Sequence, residues 1–405
     1  VEKQSPARAW QLPDGIDELL PEAAAHVETL RRSLLDCAAR WGYQLVIPPM
    51  LEFTDSLLVG VGEDLDLLTF KVPDQLTGRM LGLRADMTPQ VARMDAHSLG
   101  GDQVNRLCYA GSTLHTRSGS LAASRSPLQL GAELYGAEGL SADIEVINLM
   151  LDMLEVAGIE PGAQLTLDLG HGDIFRHVLA ASGAKSAGLE GAIFDALQRK
   201  SRPDLEDLLL RLPSESADAL SALMDMHGDL GVLDRAEATF ARMAPGVSQS
   251  LSDLRALADA LQARHPELSL YIDLAELRGY RYHTGVVFAV YAQGLGEALA
   301  RGGRYDNVGE VYGRARPATG FATDLRLLAA QLKVNSGQVN GAKSIAVPDI
   351  EDISLQEAVR ALRAAGETLI VSLGGEADAR CDREMLKIDG QWQPRSRSVS
   401  RSGED

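Results

Sequence analysis

The sequence predicts an α+β fold: an antiparallel sheet flanked by helices, carrying a helical insertion and followed by a small C-terminal α/β unit. Three observations predict it. The strand-like runs are short and follow one another closely enough to form hairpins. Between about Gly172 and His265, strand signals give way to leucine- and alanine-rich helical stretches. Beyond Lys333, a Gly/Asn/Ser linker separates one strand–helix–strand pattern from the rest. The expected boundaries are a core over 10–332 with the insertion at about 172–265, a small unit over 343–393, and a disordered arginine–serine tail over 394–405.

The first long helix begins with Pro21, which suits a first helical position. Val27, Leu30, Leu34, Ala38 and Trp41 then recur at helical spacing until Gly42 closes it. Tyr43 to Ile47 reads as a strand stopped by Pro48 and Pro49. MLGLRAD, from Met80, is another short strand, and TPQVARMDAHS is a helix with Thr88 as cap and Pro89 in its first turn. NRLCYAGSTLHT and PLQLGAELYG are strands joined by the small-residue loop RSGSLAASRS. SADIEVINLMLDMLEVAG is a capped amphipathic helix and AQLTLDLG a strand.

After the insertion, LSLYIDLA and TGVVFAVYA are strands and RGGRYDNVGEVYGRARPA is a loop. GFATDLRLL then reads as helical, with Phe321, Leu325, Leu328, Ala329 and Leu332 as its core stripe. In the C-terminal unit, SIAVPD and TLIVSL are strands on either side of a helix that starts at a Ser354/Glu357 capping box.

Hydrophobic residues make up 45% and charged residues 24% of the 405, ordinary values for a globular chain with ample core. No apolar run of about 18 residues and no basic–apolar–small N-terminal pattern occurs, so neither a membrane span nor a signal peptide is expected. Cys37, Cys108 and Cys381 lie far apart, which excludes a CxxC motif and suits reduced thiols in the cytoplasm. A net charge of -18 and a pI near 4.9 count against a nucleic-acid partner.

Familiar catalytic and phosphate motifs are missing. GAKS at Gly183 and at Gly341 lacks the phosphate-loop spacing, and there is no HExxH or GxSxG. GGRYDNVG lacks a following helix N-terminus and reads as a tight turn. What is left is a set of polar residues. Asp86 and Thr88 stand at the start of a helix. Gln129 and Glu133 share one face of a strand, with Leu128, Leu130, Ala132 and Leu134 on the other. Arg125 precedes them, and RGYRYHTGVVF, from Arg278, adds Tyr280, Tyr282 and His283. Acids among aromatic and amide groups suit a cationic, hydrogen-bonding small ligand. Each residue taken alone also fits a solvated strand face.

The order of these pieces resembles the catalytic core of the histidyl-tRNA synthetases, a class II aminoacyl-tRNA synthetase family, over about residues 10–332. GYQLVIPPMLEF is similar to the first class motif, LGLRADMTPQVAR to the family's LRPEGT segment, and CYAGSTLHTRSGS with SPLQLGAELYG to the second motif. RGYRYHTGVVF is similar to the histidine-recognition segment RGLDYYT, and GGRYDNVGEVYGRARPATGFATDLRLL to the run into the third motif. The resemblance implies a histidine-binding set of Asp86, Thr88, Arg125, Gln129, Glu133, Tyr280, Tyr282 and His283, with no catalytic, metal or cofactor residues. Arg278 stands where the synthetases keep a catalytic arginine but is given no catalytic role here.

Two departures point away from adenylation. The arginine that holds the ATP α-phosphate in the family is matched here by His115, with Arg117 two residues on along the same strand face. The arginine of the family's GLER is matched by Leu327, on the side opposite the core stripe. Arg326 is one residue early, about 100° around a helix axis. A core with these losses and a short C-terminal unit in place of an anticodon-binding domain resembles the regulatory subunits of ATP phosphoribosyltransferase. That resemblance implies a non-catalytic chain, dimeric within a cytoplasmic hetero-octamer with the short-form catalytic subunit. It would activate that subunit and relay feedback inhibition by histidine, with no tRNA and no membrane partner. An active adenylating enzyme and a stand-alone histidine sensor are the alternatives.

Overall fold

The computed structural model describes residues 11–59, 63–118, 124–160, 162, 165–184, 186–275, 283–331 and 344–397. The chain divides into two compact units, Val1–Leu332 and Lys333–Asp405.

The first unit opens with α1 (Pro21–Arg40), β1 (Gln44–Leu45), β2 (Leu51–Phe53), α2 (Thr54–Leu57), α3 (Glu63–Leu68), β3 (Lys71–Pro73) and β4 (Met80–Leu83). Next comes α4 (Thr88–Arg93), continued by a π-helical turn over Met94–Leu99. β5 (Asn105–Ser112), β6 (Leu128–Tyr135), α5 (Leu140–Val156) and β7 (Leu165–His171) follow. The insertion holds α6 (Gly172–Ser182), α7 (Ala187–Gln198), α8 (Arg202–Leu209), α9 (Ser214–Leu223), β8 (His227–Gly228), α10 (Gly231–Phe240) and α11 (Gly246–Arg264). β9 (Ser269–Asp273), β10 (Val286–Ala292), β11 (Ala298–Arg304), β12 (Ala318–Asp324) and α12 (Leu325–Gln331) complete the unit.

Nine strands form one sheet in the order β1-β5-β6-β12-β11-β10-β7-β9-β8. Within this sheet, among the described residues, only β1 with β5 and β7 with β9 pair in parallel; the other neighbours are antiparallel, as expected. β2, β4 and β3 make a small separate sheet. One face of β6 sends Leu130, Ala132 and Leu134 into a large core shared with α1, α5 and the insertion helices. The other face is covered by α4, and a second cluster of Met87, Val91, Ala92, Leu107, Tyr109, Tyr135, Tyr305, Val308 and Ala318 lies between them.

Several elements depart from expectation, mostly where long-range pairing overrides local pattern. GFATDLRLL does not start a helix at Phe321. β12 runs to Asp324 because its backbone is paired on both sides, with β6 and with β11. The glycine-rich RGGR belongs to β11 and the loop begins only after it. β1 is two residues long, so Ile47, 80% exposed, is not in a strand. The insertion is not purely helical, since β8 adds an edge strand beside β9. α5 lacks a side-chain cap and is buried over most of its surface.

The second unit is larger than one strand–helix–strand pattern. β13 (Ser344–Pro348), α13 (Ile353–Ala364) and β14 (Leu369–Ser372) are joined by β15 (Cys381–Ile388) and β16 (Gln391–Ser396) in a sheet ordered β14-β13-β15-β16. Pro394 to Ser396 thus belong to a strand, inside the stretch expected as tail; residues 398–405 lie outside the described residues. Asp352, not Ser354, caps α13: its carboxylate accepts from Leu355 N at 3.2 Å, and also from Lys387 Nζ and Trp392 Nε1.

The RYD that follows the two glycines ties the sheet to α5. Arg304 donates through Nε and Nη2 to Asp143 Oδ2 at 3.1 and 3.0 Å, and through Nη1 to Asp306 Oδ1. The side chains of Arg304 and Asp143 are 11% and 3% exposed. Removing one partner of a buried pair strands the other, so Arg304→Met is expected to destabilise the chain by about 3–5 kcal/mol. The double change Arg304→Met with Asp143→Leu should recover much of that loss. Thermal and denaturant melting of the three chains checks it.

Candidate functional site

Strand pairing places the site before any side chain is considered. Gly303 of β11, Gly320 of β12, Glu133 of β6 and Leu107 of β5 stand in register across four neighbouring strands. Directly paired residues point to the same face, so this row forms a floor beneath α4. Two of its positions must be glycine. A Cβ on Gly320 would collide with the Glu133 carboxylate, and one on Gly303 would meet the His283 ring. The paired glycines thus seat Glu133 and His283 beside each other on one face.

Glu133 is 1% exposed, yet its partners are hydroxyl groups. Oε1 accepts from Thr88 Oγ1 at 3.0 Å and from Tyr109 Oη at 2.9 Å, and Oε2 accepts from Tyr305 Oη. Next to it, Asp86 Oδ1 accepts from Gln129 Nε2 at 2.7 Å and from Thr88 N at 3.0 Å, while Gln129 Oε1 accepts from Met87 N at 2.9 Å. Among the described residues, no lysine or arginine pairs with either carboxylate. Burial pushes the Glu133 carboxyl from about 4.5 up to about 8; the three hydroxyls pull it down and the Asp86 charge adds to the rise. Burial and the Glu133 charge likewise hold the Tyr109 and Tyr135 phenols well above their usual range.

The structure therefore brings Asp86, Thr88, Gln129, Glu133 and His283 together. Thr88 is not the cap of α4. It occupies the first helical position, with Met87 before it, and its hydroxyl is spent on Glu133 and Tyr109. Tyr280 and Tyr282 lie outside the described residues, as does Arg278. Arg125 has other work: Nε donates to the His115 carbonyl at 3.0 Å, Nη1 to the Asp14 carbonyl at 2.9 Å, and the guanidinium sits over Phe70. It pins the segment around Gly15 to the edge of the fold and joins neither carboxylate.

Tyr109 and Tyr305 are site residues that sequence reasoning missed. Tyr109 looked like one more apolar strand residue, although its place directly opposite Gly131 puts it on the Gln129/Glu133 face. Tyr305 sat in a stretch read as a turn. Its usable signal was position, directly after the RGGR strand.

The expected nucleotide end is differently built. His115 Nε2–H donates to the Ala85 carbonyl at 2.9 Å, and its backbone bridges to Thr69. β5 has already ended at Ser112, so Arg117 does not share a strand face with His115; it is exposed. Arg326 Nη1 lies 2.5 Å from Asp17 Oδ2 as an ion pair, and Nη2 donates to the Asp17 carbonyl. Leu327 does not stand opposite the core but packs, partly buried, against it. Among the described residues no three His, Cys, Asp or Glu side chains gather as metal ligands would, and no helix is long and apolar enough to cross a membrane.

Comparison with known proteins bears on the family and the fold. Residues 15–328 match the histidyl-tRNA synthetase family model, and residues 342–395 match the model described as the ATP phosphoribosyltransferase subunit HisZ C-terminal domain. The chain is 50% identical over 389 residues to the ATP phosphoribosyltransferase regulatory subunit of Ectopseudomonas mendocina, covering 95% of this chain and 97% of that one. With the protein of the same name from Thioalkalivibrio sulfidiphilus it is 51% identical over 392 residues, at the same coverage. Among solved structures, the fold is similar to an ATP phosphoribosyltransferase regulatory subunit/histidyl-tRNA synthetase from Bacillus halodurans, with a TM-score of 0.78 at 26% identity over 92% of this chain and 95% of that one. It also matches, in fold alone, the histidyl-tRNA synthetase of Nostoc sp. PCC 7120, with a TM-score of 0.71 at 16% identity over 96% and 97% of the two chains.

The raised Glu133 carboxyl has a consequence for stability. Between pH 4.5 and about 8 the folded chain keeps a proton that the unfolded chain has lost. Its contribution is complete below the lower value and disappears as pH rises through the upper one. Over that interval the loss is on the order of 4 kcal/mol. Glu133→Gln, which cannot ionise, should flatten this part of the stability–pH curve and leave the variant more stable than the parent above pH 8. Denaturant melts from pH 4.5 to 9 test it.

Proposed function

The chain belongs to the family of ATP phosphoribosyltransferase regulatory subunits, which places it in histidine biosynthesis, and on that premise we propose that it is a non-catalytic histidine sensor for a short-form catalytic partner. One observation carries the reading: Glu133 and Asp86 lie side by side beneath α4 with hydroxyl and amide partners and, among the described residues, no lysine or arginine paired with either. A carboxylate so placed bears a desolvation cost that an ammonium group would offset, and a charge-assisted contact there is worth roughly 1.5–3 kcal/mol. Free histidine supplies such a group together with a polar ring. Thr88, Gln129 and His283 stand within the same cluster to read it, with Tyr280 and Tyr282 the further residues proposed for the set.

The nucleotide end favours binding without chemistry. His115 is engaged with a backbone carbonyl, Leu327 belongs to the core, and Arg326 is paired with Asp17. A triphosphate set against these groups forgoes charge-assisted contacts worth about 1.5–3 kcal/mol each. Adenylation is therefore not part of the proposed role, and neither is tRNA recognition, given a net charge of -18. In the proposed assembly the chain is dimeric within a cytoplasmic hetero-octamer. It raises the turnover of the short catalytic subunit, and bound histidine lowers it through a differential affinity for two arrangements of the complex.

Reconstitution tests this directly. The isolated chain should bind L-histidine calorimetrically and show neither phosphoribosyl transfer nor histidine-dependent exchange of pyrophosphate into ATP. Adding it to the short catalytic subunit should raise turnover, and histidine should then suppress it. Unchanged turnover in the mixture defeats the regulatory reading; pyrophosphate exchange would establish an adenylating enzyme instead.

A further inference from the structure

The helical insertion reaches the site through two cationic side chains that no sequence pattern singled out. Arg176 lies on the second turn of α6, where it pairs with Asp173 and donates through Nη2 to the carbonyl of His283. Gly172 N adds a backbone bond to the Gly285 carbonyl at 2.9 Å. The residue that enters β10 beside Glu133 is thus held from the first helix of the insertion.

The second tie comes from the end of α7. Lys200 has φ 51, one of two non-glycine residues with positive φ among those described. Its N–H bonds the Leu197 carbonyl and that of Ser201 bonds Ala196, a helix-ending turn that ordinarily takes glycine. A lysine is strained there, so its side chain needs a reason to be present. Lys200 Nζ donates to both carboxylate oxygens of Asp273, at 3.0 and 2.8 Å. Asp273 ends β9, and Oδ1 also accepts from Ala275 N at 2.9 Å. β9 pairs with β7, and β7 pairs with β10 through His171 and Val286, so this is the end of the sheet at which His283 joins it.

We propose that Arg176 and Lys200 are positioning residues: from the helical insertion they fix the strand ends that hold His283 over the glycine floor, and so set the affinity of the site. The proposal rests on the histidine reading given above. It also makes the insertion the part of the fold through which a contact elsewhere on α6 or α7 reaches the ligand site.

The test uses the full chain, L-histidine as probe, calorimetry for affinity and ligand-free melting for stability. Lys200→Gly relieves the left-handed backbone while cutting the tie to Asp273. It should melt no lower than the parent, yet bind histidine about tenfold more weakly, within the range of remote positioning residues. Arg176→Met should weaken binding similarly, and Arg176→Lys and Lys200→Arg should restore most of the affinity. Parent-like affinity in Lys200→Gly and Arg176→Met overturns the proposal alone. So does a loss of affinity that only tracks a loss of stability and is not rescued by the conservative changes. A parent chain that binds no histidine overturns the underlying reading and this inference with it.

Discussion

A carboxyl group closed away from water, with no lysine or arginine among the described residues paired to it, is the constraint around which the first unit is arranged. Glu133 is 1% exposed and held by hydroxyls from α4, β5 and the loop after β11. An isolated buried carboxylate is costly, and hydrogen bonds to hydroxyls offset only part of that cost. The strand register, the glycine at 320 and the placing of α4 together surround this one group. A packing arrangement chosen for stability alone would have filled the position with a leucine, as β6 does on its other face at Leu130 and Leu134.

The polar groups around Glu133 and around His115 contrast in what they do. Around Glu133 the fold keeps an acidic group that holds its proton up to about pH 8 and that no lysine or arginine among the described residues pairs. Toward His115 and α12, Arg117 is exposed, while two other cations are taken up inside the protein: Arg125 by two backbone carbonyls, Arg326 by Asp17. Asp324 begins the turn into α12 by accepting from Arg326 N and Leu128 N, and burial holds its carboxyl above the usual range. The arginine at 326 thus helps fasten the segment around Asp17 to the helix that follows β12. Both arginines are thus spent on holding the chain together.

The helical insertion is continuous with this arrangement. Its helices share the large core with α1, α5 and the sheet. Its polar contacts with β9 and the His283 segment are few and specific. Apolar burial fixes that the insertion docks; the cations fix in what register it does so, because a hydrogen-bonded charge tolerates far less sliding than a leucine contact.

Much of this was legible in the sequence. The α+β class, the face shared by Gln129 and Glu133 and the place of Asp86 and Thr88 at the start of a helix follow from short-range pattern, and the family follows from motif order. Periodicity works for these because the two-residue and 3.6-residue repeats are properties of the local backbone. It failed where the partner lies far along the chain. Phe321 to Asp324 carry a helical pattern, yet two neighbouring strands claim their backbone hydrogen bonds. Tyr305 comes to Glu133 from 172 residues away, and Lys200 to Asp273 from 73. Gly303 reads as a turn residue and Gly320 as the start of a helical stretch until register shows which side chain fills the space each one leaves. The sequence by itself determined the local faces and the family motifs that carry Asp86, Thr88, Gln129 and Glu133. Only the tertiary structure decided which of them meet, because a contact between distant segments is set by sheet register and packing, and no local pattern encodes either.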